Sequence, residues 1–404
     1  MAFTLLQVTL RRTALTAGLL ASVLVLPSAP AFADDRTLPE HSSDGVRGEI
    51  APVIPPNARV QVRRTTTAAY DVAPGVSYTS WDETNARGPI RAHLLTVRYD
   101  TPGVQLDYAG PDAVAGTAPV SSMMASDAIA AVNGDFFDIG DTGAPLGVGK
   151  QRGRGLVHAP HEGWNNAFLV GGNGRPKIEP LPMKAKMKQH PRWDITNVNS
   201  PSIALDGIGV YNRRWGSTSG NRVVDGQTTK VAQVIVEKGK VVRMQRKLTS
   251  GKKIKKGYVL VGRGAGARQL AQLSRGDRVT VSWKVTGSPK MAITGNRFLL
   301  QDGVRVVVDD REMHPRTAVG ISTDTHELFI LVVDGRQSFS RGYTMVELAN
   351  LMTTLGAEDA LNLDGGGSST FISNRPDGTR AVLNSPSDGA ERSVANALEV
   401  FYRP

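Results

Sequence analysis

Residues 328–370 constrain the fold of this chain more than any other segment. Leu328-Phe-Ile-Leu-Val-Val333 is an unbroken apolar run, the pattern of a strand covered on both faces. It stops at Asp334-Gly-Arg336. Thr344-Met-Val-Glu347 then has the form of a capping box, whose hydroxyl and carboxylate satisfy N–H groups that a helix start leaves free. Leu348, Leu351, Met352 and Leu355 recur at helical spacing, and Gly356 closes the helix. Ala360-Leu-Asn-Leu363 is the next strand and runs into Asp364-Gly-Gly-Gly-Ser-Ser-Thr370. A strand–helix–strand crossover of this size joins parallel strands. Parallel strands would bring Asp334 and Asp364 to one sheet edge, the edge where ligands bind in such sheets. The expected fold class is α+β: mixed β-sheets with packed helices, this βαβ unit near the C-terminus, and a β-rich inserted subdomain.

The rest of the chain reads as shorter pieces. Ile90 to Tyr99 alternates as a strand, and Ala128 to Val132 reads as a buried strand ending at Asn133-Gly-Asp135. Residues 196–290 are β-rich, with a hairpin of Val231–Glu237 and Val241–Met244 around Lys238-Gly-Lys240. Lys252, Lys253, Lys255 and Lys256 form the densest basic cluster, either a solvated turn or a polyanion contact.

The N-terminus reads as an address. Arg11 and Arg12 precede an uncharged stretch, and Ala31-Phe-Ala33 has the form of a cleavage site, so 1–33 is expected to be a secretory signal peptide. Sec and twin-arginine export both fit the arginine pair. Residues 34–65 are Pro-rich and read as a flexible or extended segment, leaving 66–404 as the functional domain. The expected location is secreted, extracellular or associated with a bacterial cell wall. No integral membrane segment is expected in the mature form, because no later stretch approaches about 18 apolar residues.

Composition removes whole classes of chemistry. With no Cys there are no disulfides, thiolate metal sites or Cys nucleophiles. A net charge of +11 favours anionic partners. Nucleic acid is not expected among them, since aromatics are only 6% and are not interleaved with the basic residues. There is no G-x-S-x-G elbow, which disfavours a serine hydrolase. In His158-Ala-Pro-His161-Glu162 the proline breaks the helix that would align two zinc-binding imidazoles. No motif requires a cofactor, and metal ligands cannot be assigned. A carboxylate-rich site outside the cell could hold Ca²⁺ through Asp oxygens, although no EF-hand-like loop is present.

Three polar clusters follow apolar strands: Asn133-Gly-Asp135, Asp334-Gly-Arg336 and Asn362-Leu-Asp364. Asp-Gly is also ordinary turn chemistry, but three such places together point to a site. Gly365-Gly366-Gly367 permits close backbone approach, so successive N–H groups could converge on an anion, with Ser368, Ser369 and Thr370 adding hydroxyls. The other reading is a flexible turn. Arg316 and Arg336 could grip phosphate or carboxylate with two parallel N–H groups, or form surface ion pairs. Carboxylates would carry the chemistry, one protonated and one ionised.

Asn133-Gly-Asp-Phe-Phe137, His314-Pro-Arg-Thr-Ala-Val-Gly320, Val333-Asp-Gly-Arg336 and Asn362-Leu-Asp-Gly-Gly-Gly-Ser-Ser-Thr370 together resemble the phosphodiester glycosidase family. The resemblance implies an exported hydrolase that releases an N-acetylglucosamine-type sugar from a phosphate-linked carrier, wall polymer or capsule polymer. For the catalytic carboxylate Asp364 is the first candidate and Asp334 the second, while Asp135 is an extra carboxylate that could act in catalysis or bind a cation. Asn133, Arg316, Arg336, Asn362, Gly365, Gly366, Gly367, Ser368, Ser369 and Thr370 would line the substrate. The partner implied is a phosphorylated glycan or sugar phosphodiester. Many relatives have Gly where this chain has Asp135. A hydrolase of phosphate-free surface polysaccharide and a non-catalytic wall-glycan-binding protein are the alternatives.

Overall fold

The computed structural model describes residues 44–55, 62–160 and 163–404. The expected signal peptide, His161 and Glu162 lie outside the described residues.

An eight-stranded sheet is the backbone of the fold. Its spatial order is Arg63–Ala73, Val76–Asn85, Gly88–Arg98, Glu327–Val333, Arg316–Ser322, Asp359–Asn362, Arg297–Gln301 and Val304–Arg305. The apolar run occupies a central strand with a core on each face. Leu328, Ile330 and Val332 join one cluster, while Phe329, Leu331 and Val333 join another. That two-sided burial is why the strand does not alternate with polar residues.

The helix Met345–Leu355 lays Leu348, Ala349, Leu351 and Met352 on the second of these clusters. Its capping box forms as the sequence predicts: the Glu347 N–H donates to Thr344 Oγ1 at 3.2 Å and the Thr344 N–H to Glu347 Oε2 at 3.1 Å. Gly356 closes the helix at φ 91°.

The expected βαβ unit needs correction. Strands 327–333 and 359–362 do run in the same direction, but they are not neighbours. Strand 316–322 lies between them and pairs antiparallel with both. The reason is local: 316–322 and 327–333 are joined by a four-residue turn, and a short hairpin closes at less entropic cost than a crossover. Asp334 and Asp364 still emerge at the same edge, because two strands antiparallel to a common neighbour are parallel to each other. The mixed sheets are almost wholly antiparallel: the one parallel pair among the described strands is Ile195–Val198 with Ile208–Asn212. Packed helices are few, with only Val120–Met123 and Ala265–Leu270 beside the helix 345–355 among the described residues.

Two further large sheets and three two-stranded ones complete the architecture among the described residues. A five-stranded sheet orders Arg380–Val382, Phe371–Asn374, Ala128–Asn133, Ala397–Tyr402 and Val104–Ala109. A ten-stranded sheet contains the predicted 231–237 and 240–245 hairpin, yet it also takes strands between 149 and 180 and the strand Met291–Gly295. The β-rich segment read as 196–290 therefore shares its sheet with residues on both sides of it.

Part of the Pro-rich N-terminal segment is extended and anchored. Glu49–Ile50 pairs antiparallel with Glu312–Met313, the Ala51 N–H donates to the Arg311 carbonyl at 2.8 Å, and Ala51 is buried. No helix among the described residues is long and apolar enough to cross a membrane.

Candidate active site

Two sheets converge at the glycine loop. The Asp364 N–H donates to the Gly134 carbonyl at 2.9 Å, and Asn133 Nδ2 donates to the Asp364 carbonyl at 2.6 Å. Asn133 Oδ1 accepts from the Thr317 hydroxyl at 2.7 Å and the Thr370 N–H at 3.1 Å. The buried Asn133 amide is thus a staple between the five-stranded sheet, the central sheet and the loop, with every side-chain bond spent inside the protein.

Asp364 is 9% exposed. Burial pushes its carboxyl up to about 7, against the opposing pull of the Ser368 hydroxyl and the Arg392 guanidinium. The Gly365 N–H donates to its Oδ1 at 2.9 Å. Asp135, one residue past the carbonyl that anchors Asp364, is also pushed up to about 7, first by burial and further by the Asp364 charge. Asp135 Oδ1 accepts from the Thr294 N–H and hydroxyl at 2.6 and 2.8 Å, while Oδ2 is buried without a hydrogen-bond partner. His158 Nε2 stands 4.0 Å from that oxygen. Its Nδ1 faces the Gly147 carbonyl at 2.8 Å and so carries the proton, leaving Nε2 to accept from the Tyr108 hydroxyl at 3.1 Å. Burial lowers His158 to about 4, so the ring is neutral near pH 7. Two electrostatically coupled carboxylates with raised pKa values can hold and pass a proton near neutral pH, while the imidazole stays neutral.

Asp334 is placed differently. Its Oδ1 accepts from Asn384 Nδ2 at 3.2 Å and the Ser385 N–H at 3.0 Å, and its Oδ2 meets His93 Nε2 at 3.2 Å. Both oxygens are engaged and the residue is 1% exposed, so it braces the 384–385 loop. Arg316, too, is turned inward: its Nε donates to the Tyr343 carbonyl at 2.9 Å and its Nη2 to the Glu312 carbonyl at 3.2 Å. Burial lowers its pKa to about 10, still charged at neutral pH.

Arg336 sits at the glycine loop with φ 59°. Its Nη1 donates to Asp44 Oδ2 at 2.9 Å, and its Nη2 approaches the Val46 carbonyl at 3.1 Å and His314 Nδ1 at 3.2 Å. Arg392 Nη2 reaches the same Asp44 oxygen at 3.1 Å and also pairs with Asp388 at 2.7 Å. A carboxylate thus lies between two guanidiniums. Burial alone would raise the Asp44 carboxyl, but Arg336, the Val46 N–H and Arg392 outweigh it and hold it at about 2.

The glycines serve close approach. A Cβ on Gly366 would stand 3.2 Å from both Arg336 Nη2 and Asp44 Oδ2, and one on Gly367 would overlap Arg392 Nη2. The expected convergence of successive N–H groups is not formed. The Gly365 N–H goes to Asp364, the Gly366 N–H to the Pro315 carbonyl, and the Ser368 and Ser369 N–H groups to carbonyls within the loop. The loop lets side-chain cations crowd its backbone instead. Ser369 and Thr370 hydroxyls bond within the protein. Asn362 Nδ2 bonds Asn296 Oδ1 at 2.8 Å, and its own Oδ1 is buried without a partner.

The structure therefore brings together Asp364, Asp135, Arg336, Ser368 and the three glycines, while the Asn362 side chain bonds Asn296 instead. Asp334, Arg316, Asn133, Ser369 and Thr370 support them through internal bonds. Residues the sequence reading missed are Asp44, Arg392, His158 as a partner of Asp135, and Asn384. Arg392 had one usable signal: it lies in a polar stretch, Glu391-Arg392-Ser393, just before the buried strand Ala397–Tyr402. Among the described residues, no group of three or more His, Asp or Glu side chains is arranged to hold a metal ion.

Residues 218–401 match the model of the phosphodiester glycosidase family. Over 90 residues the chain is 39% identical to the SPbeta prophage-derived uncharacterized protein YomE of Bacillus subtilis (strain 168), covering 22% of this chain and 13% of that protein. The chain thus spans only a small part of the length of that curated relative. A protein described as exported, from Burkholderia pseudomallei K96243, shares the fold: TM-score 0.68, 19% identity, 88% of this chain and 100% of that one. The catalytic domain of zebrafish N-acetylglucosamine-1-phosphodiester alpha-N-acetylglucosaminidase, auto-inhibited by its pro-peptide, aligns over 89% of each chain at TM-score 0.42 and 16% identity.

Proposed function

We propose that this chain is an exported glycoside hydrolase acting on a sugar-1-phosphodiester. The observation that carries the proposal is the Asp44 carboxylate gripped by Arg336 and Arg392 against Gly366 and Gly367. A seat that holds an anion with two guanidiniums suits the phosphate of a phosphodiester, whose two non-bridging oxygens share one negative charge as a carboxylate's do. Substrate phosphate would take the place of Asp44.

With phosphate in the seat, the sugar C1 falls to Asp364, whose carboxyl feels both Arg392 and Asp44. Water adds at C1 and the C1–O bond to the phosphate breaks. The bonding electron pair leaves with the phosphate oxygen, and a proton of the water passes to an ionised carboxylate. The products are a free sugar and a phosphate monoester. Asp364 and Asp135, both raised to about 7, supply the ionised and protonated forms the step needs. Asp135 holds the proton inventory behind Asp364, and the neutral His158 adds no charge beside it. A secreted or wall-associated setting and an N-acetylglucosamine-type sugar belong to the same proposal.

The test is selective loss. Arg336→Gln with Arg392→Gln should lower kcat/KM on a sugar nucleotide by about 100-fold or more, as expected for two charge-assisted hydrogen-bonding partners. The same pair should change cleavage of a phosphate-free aryl glycoside by less than about threefold. Equal losses on both substrates would contradict the phosphate assignment.

A further inference from the structure

A second cationic site lies at the opposite end of the central sheet. Strand 88–98 begins near the candidate active site, where the Asp334 N–H bonds the Arg91 carbonyl. Past its far end, the turn 99–103 borders a cleft of about 480 Å³. At about 3.3 Å per residue, Arg91 and Arg98 are roughly 23 Å apart.

Three segments distant in sequence bring a cation to this cleft: Arg152, Arg175 and Lys290. Arg152 is held in place, its Nε donating to the Leu106 carbonyl at 2.7 Å and its N–H to Asp107 Oδ1 at 2.9 Å. Arg175 is in the 171–175 turn, whose Gly174 lies against Lys290: a Cβ there would stand 3.8 Å from the Lys290 ammonium. The one carboxylate on the lining, Asp100, already faces His326 at 3.1 Å and Arg98 at 3.7 Å. None of the three cations forms a side-chain ion pair among the described residues. Elsewhere the chain pairs comparable arginines with carboxylates, as in Arg87–Asp310, Arg341–Glu347 and Arg336–Asp44. Asp107 offsets part of the Arg152 charge, but Arg175 and Lys290 have no such carboxylate on the lining, and gathering like charges around a concavity costs self-repulsion, which a multivalent anion relieves.

We infer that this cleft binds a linear phosphate-bearing polyanion, as an anchoring site separate from the glycine-loop site. A chain with repeated negative charges fits three cations spread over separate segments better than a single small anion does. Nucleic acid fits less well. Its bases need free ring faces to stack on, and the two rings lining the cleft, Tyr99 and His326, pack against each other with centroids 5.6 Å apart. The inference stands apart from the hydrolase reading, since it concerns binding alone.

The test uses the full chain and fluorescently labelled long-chain inorganic polyphosphate at 0.15 M NaCl. Arg175→Glu with Lys290→Glu, both at exposed positions, should weaken binding at least about tenfold, and the slope of log K against log salt should fall by about two, one for each cation withdrawn from the polyanion. Arg175→Gln with Lys290→Gln should give a smaller loss in the same direction. Lys252→Glu with Lys253→Glu removes equal charge from the densest basic cluster and should change affinity less than about twofold. Equal weakening by the 252/253 pair would overturn the inference in favour of diffuse charge. Unchanged affinity in the 175/290 variants would overturn it outright. Tighter binding of an oligothymidylate of equal charge would replace it with a nucleic-acid site.

Discussion

Asp44→Asn tests the anion seat directly. The change leaves the size of the side chain intact and removes its charge, so Arg336 and Arg392 lose their shared carboxylate. The folded carboxyl is held at about 2 against an ordinary 3.8, which corresponds to about 2 kcal/mol of preference for the ionised form. Solvent screening of a half-buried pair reduces that to about 1–2 kcal/mol. If Asp44 competes with phosphate for the same two guanidiniums, its neutralisation should tighten inorganic phosphate binding about 5- to 30-fold, with KM for a sugar nucleotide falling in step. The assay is calorimetric titration with phosphate, followed by initial rates across substrate concentration. Unchanged phosphate affinity in Asp44→Asn would refute the competition. An increase abolished by adding Arg392→Gln would locate it. The sign with pH is fixed: a depressed carboxyl pKa contributes stability fully present above about 4, which is lost as pH falls toward 2.

Asp364→Asn should reduce kcat by at least about 100-fold while the thermal melt at pH 8 stays level or rises, because a buried carboxylate with a raised pKa is costly when ionised. Asp135 adds a pH signature. With a folded pKa raised to about 7, it makes the protein less stable as pH climbs from about 4 to 7, whereas His158, lowered to about 4, acts in the opposite sense between about 4 and 6.5. The Tm of Asp135→Asn should therefore drop less, or rise more, between pH 5 and pH 8 than that of the parent; parallel curves would contradict the burial argument. Gly367→Ala places a methyl on the Arg392 guanidinium and should abolish the gain seen in Asp44→Asn, read by the same phosphate titration. Thr344→Ala removes the helix cap and should cost about 1–2 kcal/mol in denaturant unfolding, with phosphate affinity unchanged.

How far the sequence carries the fold depends on whether a feature is local. The helix 345–355 was readable to its capping box and its closing glycine, since every group involved lies within a dozen residues. The apolar run was readable as a two-faced strand, and the common direction of 327–333 and 359–362 followed from the crossover. The strand inserted between them was not readable, because periodicity sets which face is buried but not which neighbour pairs with it. The site divides the same way. Asp364 and the glycines stand out in one short string. Asp44 meets Arg336 across 292 residues and Arg392 across 348, and no local pattern marks such a pair. Asp334, like Asp364, follows an apolar strand in the sequence; its hydrogen bonds to Asn384 and Ser385, 50 and 51 residues away, give it a different part.

The most direct test of the hydrolase reading is a product assay on the full chain and its Asp364→Asn variant, with UDP-N-acetylglucosamine and p-nitrophenyl α-N-acetylglucosaminide in parallel, each with and without EDTA. The account predicts free sugar and a nucleotide phosphate monoester from the first substrate, little turnover of the second, and neither product from the variant. Cleavage of the plain glycoside alone, or an active Asp364→Asn enzyme, would contradict it.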